Sequence, residues 1–192
     1  MRQNIALFFF FGIVGTLCDR VWVVAGTMKY IGFDPAIQPQ PWWIPLQYGA
    51  MGVLAVHATA FVTRYLIRRD APPPRDLTAS FAISASWFLI AELAGGLFDE
   101  ANAGLVAAVL VTVWLLRIIL HRPGHGQRTA IVTVTLLLAI AGSIGEYALV
   151  RLDIMEYTRP DLFGALPYWV PALWMQAGFL ARDIARAWFG GK

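Results

Sequence analysis

Six long apolar segments constrain the fold of this 192-residue chain more than any other feature of its sequence. A bilayer core about 30 Å thick needs about 20 helical residues to cross it. The segments cover residues 5–26, 42–63, 77–96, 101–120, 129–150 and 166–181. A charged, proline-rich linker at 68–75 and a loop at 121–126 separate successive segments with residues that break helices. The sequence therefore predicts an all-α polytopic membrane protein, with six transmembrane helices in a single domain over 1–192.

Composition and motifs exclude several classes of function. Hydrophobic residues make up 58% of the chain and charged residues only 14%, against about 25% charged in a typical soluble domain. A net charge of +3 in such a chain indicates membrane orientation rather than a nucleic-acid partner. The sequence contains no phosphate-binding loop, metalloprotease helix or serine nucleophile elbow. We therefore expect a protein that is not an enzyme, with no catalytic residues, no metal site and no nucleic acid.

Lysine and arginine residues concentrate on one side of the predicted bundle. Eleven lie on the side of both chain ends: Arg2, Arg64, Arg68, Arg69, Arg75, Arg117, Arg122, Arg128, Arg182, Arg186 and Lys192. The opposite loops hold Lys29, Arg151 and Arg159, and Arg20 falls inside the first helix. Because basic residues are retained in the cytoplasm, both termini are predicted to be cytoplasmic.

The first and last hairpins resemble each other at an offset of 127 residues, the separation of Gly15 from Gly142. At this offset Asp19 matches Glu146. Three further matches are Met28 with Met155, Tyr30 with Tyr157, and Asp34 with Asp161. The copies begin four helices apart, so the sequence predicts a parallel repeat of hairpin 1–2 in hairpin 5–6. The alternative is a chance likeness, since membrane helices commonly reuse glycine, aromatic residues and proline.

Three acidic residues, Asp19, Glu92 and Glu146, fall inside apolar segments. At about 1.5 Å per residue they lie roughly 21–25 Å from the start of their helices, and all three helices run outward. The acids are thus predicted to share one layer in the outer half of the membrane. An acid at mid-membrane costs about 2.5–3.5 kcal/mol on insertion scales, so the layer has a structural or a functional reason.

Two interpretations of this acidic layer remain open. In the structural one, Arg20 pairs with one acid and the layer only fixes the register of the helices. In the functional one, the three acids line a pocket and bind the hydroxyl or ester groups of a lipid. Phe88, Trp87 and Tyr147 are then the expected walls of that pocket.

Short motifs along most of the chain resemble the Insig family of six-helix membrane proteins. They are Trp42-Trp43-Ile44-Pro45 with Gly49, the turn at 97–102, the segment at 157–162, and Trp169 and Pro171 followed by Gly178. The most specific is the Tyr157-Thr158-Arg159-Pro160-Asp161 loop. The number and spacing of the spans agree with this resemblance.

The resemblance implies a lipid-responsive protein. Eukaryotic members bind oxygenated sterols in the membrane and retain sterol-sensing partners in the endoplasmic reticulum. Asp161 matches a family aspartate associated with partner binding. The second such aspartate is replaced by Leu97, and a cysteine pair is replaced by Gln47 and Tyr48. These departures favour a bacterial homologue in the plasma membrane; a eukaryotic member would be expected in the endoplasmic reticulum.

Together these features predict a non-enzymatic protein that holds a neutral lipid, a sterol or a diacylglycerol-like molecule, in an intramembrane cavity. A bound lipid is the only cofactor expected. The alternative is a small proton-coupled transporter, in which Glu92 or Glu146 carries the proton. Membrane lipid, a second copy of the chain and another membrane protein are the partners considered, since glycine-rich faces can serve contacts between chains.

Overall fold

The structure is a computed structural model and describes residues 2–34, 37, 40–66, 77–120 and 125–189. The predicted linker at 68–75 and residues 121–124 of the predicted loop lie outside these ranges. The elements in chain order are α1 (Arg2–Val24), β1 (Met28–Tyr30), α2 (Ile44–Phe61), α3 (Leu77–Leu120), α4 (His125–Arg151), β2 (Met155–Tyr157) and α5 (Trp169–Phe189). A π-helical turn, Val62–Leu66, extends α2.

The six predicted helices are present, and five are long and apolar enough to cross a membrane. These five are Arg2–Val24, Ile44–Tyr65, Thr78–Phe98, Asn102–Leu120 and Arg128–Arg151. Large apolar side chains on them are exposed, for example Phe9 at 62% and Leu54 at 68%, as expected of helices that face lipid. The predicted all-helical membrane fold is confirmed at this level.

The third and fourth spans form one continuous element, α3, which changes direction at Asn102. This residue has φ −173° and ψ 89°, outside the helical region. Its side-chain oxygen accepts a hydrogen bond from the Leu105 amide at 2.9 Å, which satisfies a free N–H at the start of the second half, as an N-cap does. The break predicted between the third and fourth spans, at the turn 97–100, is therefore confirmed to within two residues, and the capping asparagine fixes its position at Asn102.

The structure contains two short strands that the all-α prediction did not include. β1 and β2 lie in the connections after α1 and after α4 and pair antiparallel, with Lys29 opposite Glu156. The Lys29 ammonium and the Glu156 carboxylate form an ion pair at 2.6 Å. The pairing places these two connections on the same side of the bundle. It also brings the two halves of the predicted repeat together, although a duplication stays a prediction.

α5 is the central helix, and it differs from the sixth span predicted at 166–181. It runs eight residues further and is buried along most of its length. It carries Gln176, Arg182 and Asp183, which are 0%, 3% and 4% exposed, and it is not one of the helices apolar enough to count as a span. Since the other helices shield α5 from lipid, its polar residues contact protein rather than the membrane.

Candidate acidic site

The three acids of the predicted layer are all buried inside the bundle. Asp19 on α1 is 1% exposed, Glu92 on α3 is 6% exposed and Glu146 on α4 is 8% exposed. Glu92 is close enough to the other two to interact with both electrostatically. The structure thus brings the three side chains together, as the helix-length arithmetic predicts, and each is surrounded by different partners.

Asp19 is held by three neutral donors. The Tyr30 hydroxyl donates to Oδ1 at 2.8 Å and the Tyr48 hydroxyl at 3.1 Å. The Gln40 amide donates to Oδ2 at 2.5 Å. Burial, followed by the Asp19 charge, raises the pKa of the Tyr30 phenol far above its usual value, so this hydroxyl stays protonated and donates. The carboxyl group of Asp19 is therefore satisfied within the protein.

Glu146 has an equivalent set of donors. The Tyr157 hydroxyl donates to its Oε2, and the Trp174 indole N–H donates to Oε1 at 2.7 Å. Burial and the nearby Glu146 raise the pKa of the Tyr157 phenol well above its usual value. Tyr30 and Tyr157 lie 127 residues apart, as do Asp19 and Glu146. The tyrosine of each strand thus donates a hydrogen bond to the acid on the preceding helix.

The second aromatic donor to each acid packs against a glycine on the helix that carries that acid. A Cβ added at Gly15 would lie 2.4 Å from the Tyr48 ring, and one added at Gly142 would lie 2.1 Å from the Trp174 ring. The rings therefore sit directly on the helix backbone one turn before each acid. These matched contacts agree with the small-residue stripes of the sequence and point both acids into the bundle.

Arg20 does not pair with an acid in the described part of the chain, so the arginine pairing expected in the structural interpretation is wrong, while a role of the layer in fixing helix register stays open. Its side chain is exposed, because it follows Asp19 by one residue and helical neighbours point about 100° apart. Neutral hydroxyl, amide and indole donors take the place of the expected arginine.

Glu92 differs from the other two acids because none of the residues in the described ranges donates a hydrogen bond to its carboxyl group. Glu92 lines a cavity of about 50 Å³ to which each of the elements α1 to α5 contributes. Besides Glu92, the wall of the cavity consists of Phe11, Gly15, Trp22, Tyr48, Met51, Gly52, Ala55, Phe88, Leu138, Glu146, Leu173, Trp174, Ala177, Leu180 and Ala181. The Trp22 indole fixes the backbone of this turn by donating to the Glu92 carbonyl oxygen at 2.8 Å.

No protein-family model and no curated protein sequence matches the chain. Two crystal structures do. A mycobacterial Insig homologue, MvINS from Mycobacterium vanbaalenii, is 21% identical with a TM-score of 0.73 and covers 96% of this chain and 93% of its own. A cross-linked MvINS trimer is 20% identical with a TM-score of 0.76 and covers 97% and 94%. The chain has the Insig fold. The fold implied by the sequence motifs is thereby confirmed.

Within this Insig fold, the remaining predicted site residues separate into different places. Phe88 lines the same cavity as Glu92. Trp87 does not, because it points to another side of α3 and lines a second cavity. Tyr147 lies outside the cavity wall as well, and its hydroxyl accepts a hydrogen bond from Arg151 at 2.9 Å. Asp161 is exposed in the connection before α5, and its role in partner binding stays a prediction.

The Insig fold also contains a polar cluster that sequence reasoning missed. Arg117, Arg182 and Arg186 were counted among the basic residues at the side of both chain ends, and the structure places them inside α3 and α5. Arg182 is buried, and Arg117 is partly buried and bonded to Gln176 at 2.9 Å. Gln176 and Asp183, seven residues apart on α5, share one helical face. This seven-residue spacing was the feature of the sequence from which a polar face on α5 could have been predicted.

Proposed function

We propose that the chain is a non-enzymatic Insig-type protein that binds the headgroup of a neutral lipid in the cavity beside Glu92. The observation that carries this proposal is the Glu92 carboxyl group, which is buried and receives no protein hydrogen bond in the described ranges. A buried polar group without a partner costs about 1–3 kcal/mol. A lipid hydroxyl would supply the missing hydrogen bond.

The walls of the cavity suit a lipid rather than a polar solute. Phe11, Met51, Phe88, Leu138 and Leu180 surround Glu92 with apolar surface. An ionic or sugar-like ligand would leave its polar groups unpaired against these side chains. A single polar contact in an apolar cavity fits a molecule with one hydroxyl and a large hydrocarbon part.

The size of the cavity favours a flexible lipid over a rigid ring system. A volume of about 50 Å³ holds little more than one or two waters at roughly 30 Å³ each. Either lipid must widen this space, and a glycerol headgroup with flexible acyl chains does so with smaller displacements than a rigid sterol nucleus. Between the two predicted lipids, we therefore favour a diacylglycerol-like molecule.

The arrangement of the other two acids supports binding over proton transport. A proton carrier must release its proton to both sides of the membrane. Asp19 and Glu146 are each held by fixed donors from strands and neighbouring helices. These hydrogen bonds keep both carboxyl groups in place, which is the requirement for a rigid headgroup site.

Glu92→Leu is expected to weaken binding of a radiolabelled diacylglycerol in detergent. The loss of a hydrogen bond to a carboxyl group, about 1.5–3 kcal/mol, raises the Kd roughly 10- to 100-fold. Glu92→Gln keeps one acceptor oxygen, so its Kd is expected to lie between those of the parent and of Glu92→Leu. Glu156→Leu, the same change at an acid about half exposed, is the matched control.

Two ligand controls sharpen this experiment. Triacylglycerol has no free hydroxyl and should compete poorly with diacylglycerol for the parent protein. A labelled oxysterol tests the second lipid class in the same assay. If Glu92→Leu binds diacylglycerol as tightly as Glu156→Leu does, the headgroup contact is wrong.

Partner interactions also remain proposals. The trimeric state belongs to the cross-linked MvINS protein, and it supports association of this chain with further copies of itself. The predicted membrane-protein partner at Asp161 has only the sequence resemblance behind it.

A further inference from the structure

A second cavity lies on another side of α3, beside the C-terminal half of α5. Its volume is about 360 Å³. It is lined by Ser80, Ile83, Ser84, Trp87, Val113, Leu116, Arg117, Leu120, Ile131, Phe179, Arg182 and Asp183. Both halves of α3, together with α4 and α5, contribute to its wall. None of these residues lines the cavity beside Glu92.

The charges around this cavity do not balance. Two guanidinium groups, Arg117 and Arg182, face one carboxylate, Asp183. Asp183 accepts hydrogen bonds from the hydroxyls of Ser84 at 2.6 Å and Ser80 at 3.0 Å. Within the described ranges, neither arginine forms an ion pair with it. The three lining side chains thus carry one net positive charge, and Arg186 on α5 adds a further positive charge close enough to interact with Arg182 and Asp183.

Arg117 is fixed by protein contacts. Its two terminal nitrogens donate to the Gln176 amide oxygen at 2.9 Å and to the Ser84 hydroxyl at 2.7 Å. Its guanidinium also stacks on the Phe179 ring, with its central carbon 3.7 Å from the ring centroid. The orientation of Arg117 is therefore set before any ligand binds.

Arg182 is the side chain that lacks a hydrogen-bond partner. It is only 3% exposed, and its buried Nε has no acceptor in the described part of the chain. Asp183 interacts with it electrostatically but forms no ion pair with it in the described ranges. A buried guanidinium N–H without an acceptor is unfavourable. The guanidinium presents a planar set of donors that matches a phosphate or a carboxylate.

We propose that this second cavity binds the phosphate group of an anionic amphiphile, with Arg182 as the principal contact. On α5, the cavity wall reaches Asp183, which lies six residues before the end of the helix. On α3, it reaches Leu120, the last residue of the helix. Six residues correspond to about 9 Å, so the arginine lies within two helical turns of the end of α5. Ile83, Trp87 and Leu116 extend apolar surface beside the arginine, which favours a lipid as the source of the phosphate over the free ion.

The test measures the Tm of the purified full chain in dodecyl maltoside. The probes are dioleoyl phosphatidic acid, dioleoyl phosphatidylcholine and inorganic phosphate. Phosphatidic acid at about 100 times its Kd is expected to raise the Tm by about 5 °C or more. Arg182→Gln should abolish this rise, whereas Arg20→Gln, at an exposed arginine in α1, should retain it.

The lipid-free proteins provide the second measurement. Because Arg182→Gln removes a buried charge whose Nε has no acceptor in the described ranges, its Tm without lipid is expected to equal or exceed that of the parent. A lower lipid-free Tm would assign the guanidinium a structural role and overturn the proposal. So would an equal rise with phosphatidylcholine, or a phosphatidic acid response that survives Arg182→Gln. A full rise with inorganic phosphate alone would contradict the lipid source.

Discussion

Gly142→Ala is expected to lower the free energy of unfolding by about 3 kcal/mol, which corresponds to a fall in Tm of about 10 °C for a chain of this size. The added Cβ would lie 2.1 Å from the Trp174 ring. The ring cannot simply swing away, because its indole N–H donates to Glu146. Relief of the clash therefore breaks a buried hydrogen bond or separates α4 from α5. Thermal unfolding in detergent, followed by circular dichroism at 222 nm, measures the effect.

Gly145→Ala is the matched control for this change. It lies on the same helix, three residues later, and an added Cβ there meets no atom within 4 Å. Alanine is more favourable than glycine in a helix by up to about 1 kcal/mol, so the control should unfold at an equal or slightly higher temperature. Equal responses at the two positions would show that Trp174 does not pack against α4 as the structure describes.

Tyr157→Phe is expected to destabilise the protein by about 2 kcal/mol, because the change removes a donor from the buried Glu146 carboxyl group. Tyr168→Phe, at a tyrosine that is 52% exposed, is the control and should have almost no effect. The free energy of unfolding can be measured by titration with a denaturing detergent in mixed micelles.

A double-mutant cycle with Glu146→Met separates the hydrogen bond from the packing of the ring. When the carboxyl group is absent, Tyr157→Phe should cost far less, which gives a coupling energy of roughly 1–3 kcal/mol between the two residues. If Tyr157→Phe costs the same with and without the carboxyl group, the hydroxyl does not bond to Glu146.

The sequence predicts the features of this molecule that depend on local chain length. Apolar segments of sufficient length predict the five spans and the presence of α5, and the distance from the helix start places Asp19, Glu92 and Glu146 in one layer. The donors of these acids could not be predicted in the same way. Tyr30 and Tyr157 reach them only because two three-residue strands pair across 127 residues of sequence, which is a tertiary contact.

The position of each helix in the bundle was likewise beyond local reasoning. Apolar periodicity does not distinguish a helix that faces lipid from one at the centre, since both carry apolar residues on most faces. Arg182 and Arg186 were therefore assigned to the basic side of the bundle, although the other helices bury Arg182. The same limit explains why Trp87 was expected beside Phe88, when adjacent helical residues face different cavities.

Native mass spectrometry of the protein, purified from its membrane in a mild detergent, is the most direct test of the neutral-lipid site. We expect one uncharged lipid with a free hydroxyl group per chain, lost after Glu92→Leu and retained after Glu156→Leu. A parent protein without such a lipid, or equal retention by both variants, would contradict this expectation.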